Sequence, residues 1–98
     1  MFNYREKLTA RWFELTREIM PGLAGERAWP VRFDHCFQRI LLDNAVGAAW
    51  REVIAPPAYR NASVEQLGWA VELAEAVVRG EAELEELNRR SLRWRGKL

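Results

Sequence analysis

The groups most capable of proton transfer or ligand capture fall in one short stretch: Asp34, His35, Arg39, Asp43 and Asn44. Imidazole suits a general base or ligand near neutrality, so His35, the only histidine, is the natural candidate. His35, Arg39 and Asp43 follow one another at i, i+4 and i+8, which places them along one side of a helix. Asp43 then stands roughly 12 Å from His35 along the axis, too far to orient the imidazole directly. Asp34 is adjacent in sequence and diverges around the helix, so a catalytic dyad needs a partner from another segment. The plainer reading makes the three a solvated stripe with an Arg39–Asp43 pair, and lets Asp34 favour the helix dipole. Asn44 continues the apolar face of Ile40 and Leu41, where a buried amide needs backbone partners near Gly47 or the Pro56-Pro57 loop.

Three other groups bear on chemistry. Cys36 lies among Phe33, Phe37 and Ile40 beside the one histidine, but adjacent helical side chains diverge by about 100°, so a buried, inert thiol is expected. One His, one Cys and scattered carboxylates match no metal-site spacing, so neither metal nor other cofactor is expected. Tyr59, Arg60 and Asn61 follow a rigid Pro-Pro pair. If Arg32, Arg60 and His35 converge across the fold, they suit a small anionic ligand. Near the C-terminus, Arg89, Arg90, Arg93 and Arg95 flank Trp94, a pattern able to track phosphates and stack a base. The acidic first turn of that segment and the pairs Glu85–Arg89 and Glu86–Arg90 speak instead for an ordinary helix end.

The elements that must position these groups read as helices. Asn3 with Glu6 forms a capping-box-like start, and Leu8, Trp12, Leu15 and Ile19 trace one helical face. Met20-Pro21-Gly22 is expected to stop that helix. Residues 21–31 form a connector pinned by Trp29. A second helix is expected over residues 32–44, with Gly47 marking a kink or break before a helical stretch over 48–54. Residues 55–62 form a loop. Ser63 and Gln66 open a third helix with Leu67, Ala70, Val71, Ala74, Val77 and Val78 on its apolar face, ended or interrupted by Gly80. The last helix carries Leu84, Leu87, Ser91 and Trp94 as a narrow stripe. No segment alternates with period two. The expected fold is all-α, one domain over residues 1–98, a bundle of four to five helices.

Composition agrees with a globular chain: 98 residues, 49% hydrophobic and 30% charged. Fifteen basic and fourteen acidic side chains leave a net charge of +1, so the chain as a whole does not demand a polyanion. Five tryptophans either cement a small core or, if exposed, mark a partner surface. A single cysteine fits a reducing compartment, and no apolar run has signal-peptide or membrane-span length, so a cytoplasmic protein with no membrane partner is expected.

The runs Trp29-Pro30-Val31-Arg32-Phe33-Asp34-His35-Cys36-Phe37-Gln38-Arg39-Ile40 and Leu42-Asp43-Asn44-Ala45-Val46-Gly47, with Pro57-Ala58-Tyr59 and Leu87-Asn88-Arg89-Arg90-Ser91-Leu92-Arg93-Trp94-Arg95-Gly96-Lys97, resemble a family of short uncharacterised bacterial and fungal proteins. Some of these carry a GCN5-related acetyltransferase label. That label implies a central sheet and a Gln/Arg-x-x-Gly-x-Gly/Ala loop cradling a pyrophosphate, and the sequence contains no such loop. The resemblance therefore brings no catalytic residues. The leading expectation is a non-enzymatic interaction module, an adaptor or homo-oligomer working through the Leu84/Leu87/Trp94 stripe. The alternatives are nucleic-acid binding through Arg89, Arg90, Arg93, Trp94 and Arg95, and a small-anion or enzymatic site around Asp34, His35, Arg39, Asp43 and Arg60.

Overall fold

The computed structural model describes residues 3–98, and among these there is no strand. Asn3 caps α1 (Tyr4–Glu14), its Oδ1 accepting the Glu6 N–H at 2.8 Å. The helix does not stop at Pro21. It widens into a π-helical turn, Leu15–Ile19, and runs on as α2 (Met20–Leu23). Proline lacks an N–H and its ring conflicts with the carbonyl four residues earlier, which normally ends or kinks a helix. Here the bonding register shifts by one residue just before Pro21, with the Met20 N–H donating to the Leu15 carbonyl, and the rod survives. Leu8, Trp12, Leu15, Thr16 and Met20 form its buried face.

Trp29 pins the connector as the sequence suggests, its ring meeting Phe37 edge-on at 5.7 Å. α3 (Asp34–Val46) ends at Gly47, whose φ of 76° only glycine adopts without strain and whose N–H donates to the Asp43 carbonyl at 2.7 Å. Gly47 is thus a true terminus. Beyond it stands one 3₁₀ turn, Trp50–Glu52, where a helical stretch over 48–54 was expected. A single helical turn, α4 (Ala58–Asn61), follows the prolines. The Arg5 guanidinium donates to the Tyr59 and Ala62 carbonyls at its end.

α5 (Val64–Arg79) opens with the anticipated Ser63–Gln66 capping box and closes at Gly80. Arg27 reaches from the connector to donate to the Val77 and Val78 carbonyls at 3.1 and 2.9 Å, satisfying exposed acceptors at the helix end. α6 (Leu84–Trp94) lays Leu84, Leu87 and Ser91 inward. Counting α1 through α2 as one rod, the fold is an all-α bundle of five helices, four long and one of a single turn. One core holds it together, with α3 at the centre between α5 and α6 and α1 against α5. Trp12 is buried, whereas Trp69 and Trp94 are 54% and 40% exposed, so not all five indoles cement the core. Among the described residues no helix is long and apolar enough to cross a membrane.

Arg11 and Glu75 clamp α1 to α5 with two hydrogen bonds of 2.7 and 2.8 Å. Those bonds hold the Glu75 carboxyl below its ordinary value of 4.5, against an opposing desolvation. Because Arg11 is 38% exposed, solvent screens the pair, and Glu75→Gln should cost about 0.5–1 kcal/mol at neutral pH. A carboxylate depressed by folding stabilises above its unfolded value and loses that stabilisation as pH falls through the folded one. Urea melts of the parent and Glu75→Gln should therefore draw together as pH is taken progressively below the ordinary value of 4.5.

Candidate functional site

Asp43 is not on a solvated stripe. It is fully buried, and four hydrogen bonds converge on its carboxylate. Oδ2 accepts from Ser91 Oγ and Arg95 Nε, both at 2.7 Å, and Oδ1 accepts from Arg95 Nη2 at 3.0 Å and the Trp50 backbone N–H at 2.9 Å. The pairing expected with Arg39 is made by Arg95 instead. The physical reason is that α6 docks on that side of α3 and brings a serine and an arginine to a carboxylate that otherwise could not be buried. The signal was present in the sequence. Ser91 interrupts an otherwise apolar stripe, and a buried hydroxyl needs a partner.

Arg39 lies beside this network without a carboxylate of its own. Nη1 donates to Ser91 Oγ at 2.6 Å and Nη2 to Asn88 Oδ1 at 2.9 Å, both neutral acceptors. Burial, then the like charge of Arg95, pushes its pKa below the ordinary arginine value, with Asp43 opposing. For Arg95 the Asp43 hydrogen bonds outweigh burial and raise it. Arginine stays protonated throughout.

Arg39 and Arg95 open onto a cleft of about 500 Å³ between the π turn, α3, the 3₁₀ turn and the start of α4. Arg17, Arg51 and His35 also line it, while no Asp or Glu does. Arg17 stands on the π turn with its guanidinium 3.7 Å over the Phe13 ring, and Arg51 lies 5.2 Å from the Trp50 ring centre. Phe13 meets Tyr59 edge-on at 5.2 Å. Gln38 Nε2 donates to Thr16 Oγ1 at 3.0 Å, and Thr16 donates to the Trp12 carbonyl at 2.9 Å, joining α3 to the widened turn. Sequence reasoning missed Arg17 and Arg51. Their only local signals are an aromatic four residues before one and immediately before the other.

The remaining candidates are scattered. His35 is at the cleft rim with its side chain 77% exposed and its ring stacked on Phe33 at 5.9 Å. Asp34 Oδ1 accepts the His35 N–H at 2.7 Å and does not line the cleft. Neither do Arg32 and Arg60, so the convergence of Arg32, Arg60 and His35 is not realised, and Tyr59 alone of its tripeptide reaches the cleft. Asn61 instead ties its own loop, donating to the Ala55 and Pro56 carbonyls. Asn44 does find backbone acceptors, but on Ile40 and Leu87, at 2.8 and 2.9 Å. Cys36 is half-buried and free. Among the described residues no group of three His, Cys, Asp or Glu side chains could hold a metal ion.

At the C-terminal end the arginines part company. Arg89 and Arg90 both pair with Glu86, at 2.6 and 3.4 Å, and Arg95 is held by Asp43, while Arg89, Arg90, Arg93 and Trp94 are all exposed. Leu84 and Leu87 are buried within the chain. No protein-family model, curated protein or solved structure was found to match the chain.

Removing one partner from a buried, hydrogen-bonded ion pair strands the other. Asp43→Ala should therefore lose about 3–5 kcal/mol in chemical denaturation. Ser91→Ala, which removes one hydroxyl bridge, should lose about 1–2 kcal/mol.

Proposed function

We propose that this protein is a non-enzymatic binding module that takes a small anionic ligand in the cleft bounded by Arg17, Arg39, Arg51 and His35. The observation carrying this reading is Arg39. A half-buried guanidinium held only by neutral acceptors, beside a second arginine and facing a cleft without a carboxylate, gains from an anion what the chain does not provide. The cleft also falls in the size range of small-molecule sites, about 300–1,000 Å³. Its preformed hydrogen bonds fix the fork of Arg39 before any ligand arrives, which lowers the ordering cost of binding.

The adaptor and nucleic-acid readings have less direct support. Leu84 and Leu87 of the α6 stripe are buried inside the chain, which leaves Trp94 alone of its apolar members exposed, and Glu86 and Asp43 pair with three of the four C-terminal arginines. A cytoplasmic setting is part of the proposal, supported by the single free cysteine.

Calorimetric titration with inorganic phosphate at low salt tests it. Saturable binding should weaken with added salt and fall at least about tenfold in Arg39→Gln. Arg89→Ala, away from the cleft, should bind as the parent does. No saturable binding, or equal loss in both variants, would overturn the reading.

A further inference from the structure

We infer that the ligand is a phosphate monoester carrying a flat ring, of mononucleotide size, with the ring against Trp50 and Tyr59 and the phosphate among the arginines. This rests on the anion-binding reading above and narrows it. The first ground is charge. Of the arginines lining the cleft, only Arg95 meets a carboxylate, so Arg17, Arg39 and Arg51 are without an ion pair among the described residues, while His35 at the rim has its Nδ1 3.5 Å from Asp34 Oδ1. A carboxylate brings one charge, whereas a phosphate monoester brings about 1.5–2 and three acceptor oxygens to match several guanidinium forks.

The second ground is the aromatic and proline lining. Trp50, Pro56, Pro57 and Tyr59 line the same cleft, with Tyr59 36% exposed and Trp50 partly so. Two of its aromatic rings already carry planar guanidinium groups over them, Arg17 over Phe13 and Arg51 over Trp50. Neither of these guanidinium groups has a hydrogen-bond acceptor or an ion pair among the described residues, so each arginine stays able to grip an oxygen. A nucleobase or phenyl ring is a further flat group suited to the same surfaces.

Equilibrium titration of the full chain with inorganic phosphate, phenyl phosphate, adenosine monophosphate and adenosine separates the parts. Both phosphate esters should bind about tenfold or more tightly than inorganic phosphate, with quenching of tryptophan fluorescence, and adenosine should bind more weakly than either ester. Trp50→Leu should bring the monophosphate close to inorganic phosphate. Trp50 serves the Asp43 network through its backbone N–H, which the substitution keeps, while its ring also packs against the core, so unchanged binding of inorganic phosphate by this variant is the check that the cleft stays intact. Tyr59→Ala gives a second, independent loss. Esters binding no tighter than inorganic phosphate would overturn the ring while leaving anion binding intact. Absence of binding by every probe would overturn both, and a single-stranded oligonucleotide outcompeting the mononucleotide at equal nucleotide concentration would overturn the small-ligand form.

Discussion

The carboxylate of Asp43 is the constraint around which the lower half of this bundle is arranged. A lone carboxylate excluded from water is too costly to keep charged, so its burial requires a cation and enough donors to replace its hydration. Three segments provide them: the 3₁₀ turn through the Trp50 N–H, α6 through Ser91, and the residue just past α6 through Arg95. Each segment is thereby fixed against α3 in one register. The apolar contacts of Leu84 and Leu87 supply docking energy for α6 but tolerate sliding, whereas a bidentate arginine pair and a hydroxyl bridge do not.

The same arrangement determines what the neighbouring cations can do. Because Asp43 is engaged on both oxygens by Arg95, it is not free to pair with Arg39 one helical turn away. Arg39 is left to neutral acceptors, and its charge is directed toward the cleft. A structural ion pair on one side of α3 thus creates an unanswered cation on the other side of the same network. The π turn makes a parallel contribution to the same cleft. By absorbing Pro21 without ending the rod, it carries Thr16 into contact with Gln38 and sets Arg17 over Phe13. Local backbone irregularity and cleft chemistry coincide at that turn, as is frequent for π segments.

Legibility of the sequence varied with the range of the interaction. The capping residues Asn3, Ser63 and Gln66 act within one turn, and their roles were readable as written. The apolar faces of α1, α3 and α5 follow from 3.6-residue periodicity alone. Pro21 was misleading because its penalty depends on the bonding register, and a one-residue shift upstream removes it. Gly47 was ambiguous because a glycine can bend a helix or end it, and only its left-handed φ decides between the two.

The sequence by itself determined an all-α fold, its caps, its core faces and the presence of a polar cluster on α3. These depend on neighbours within about four residues, or on the sum of apolar surface that must leave water. The tertiary structure alone decided which charges pair. Asp43 and Arg95 lie fifty-two residues apart, and either could have paired locally until α6 docked. It also decided that Arg17, Arg39, Arg51 and Trp50 share one cleft while Asp34 and Arg60 stay outside it. Spacing along a helix gives direction around that helix but not what stands opposite. Partner choice for a buried charge is a property of the packed whole.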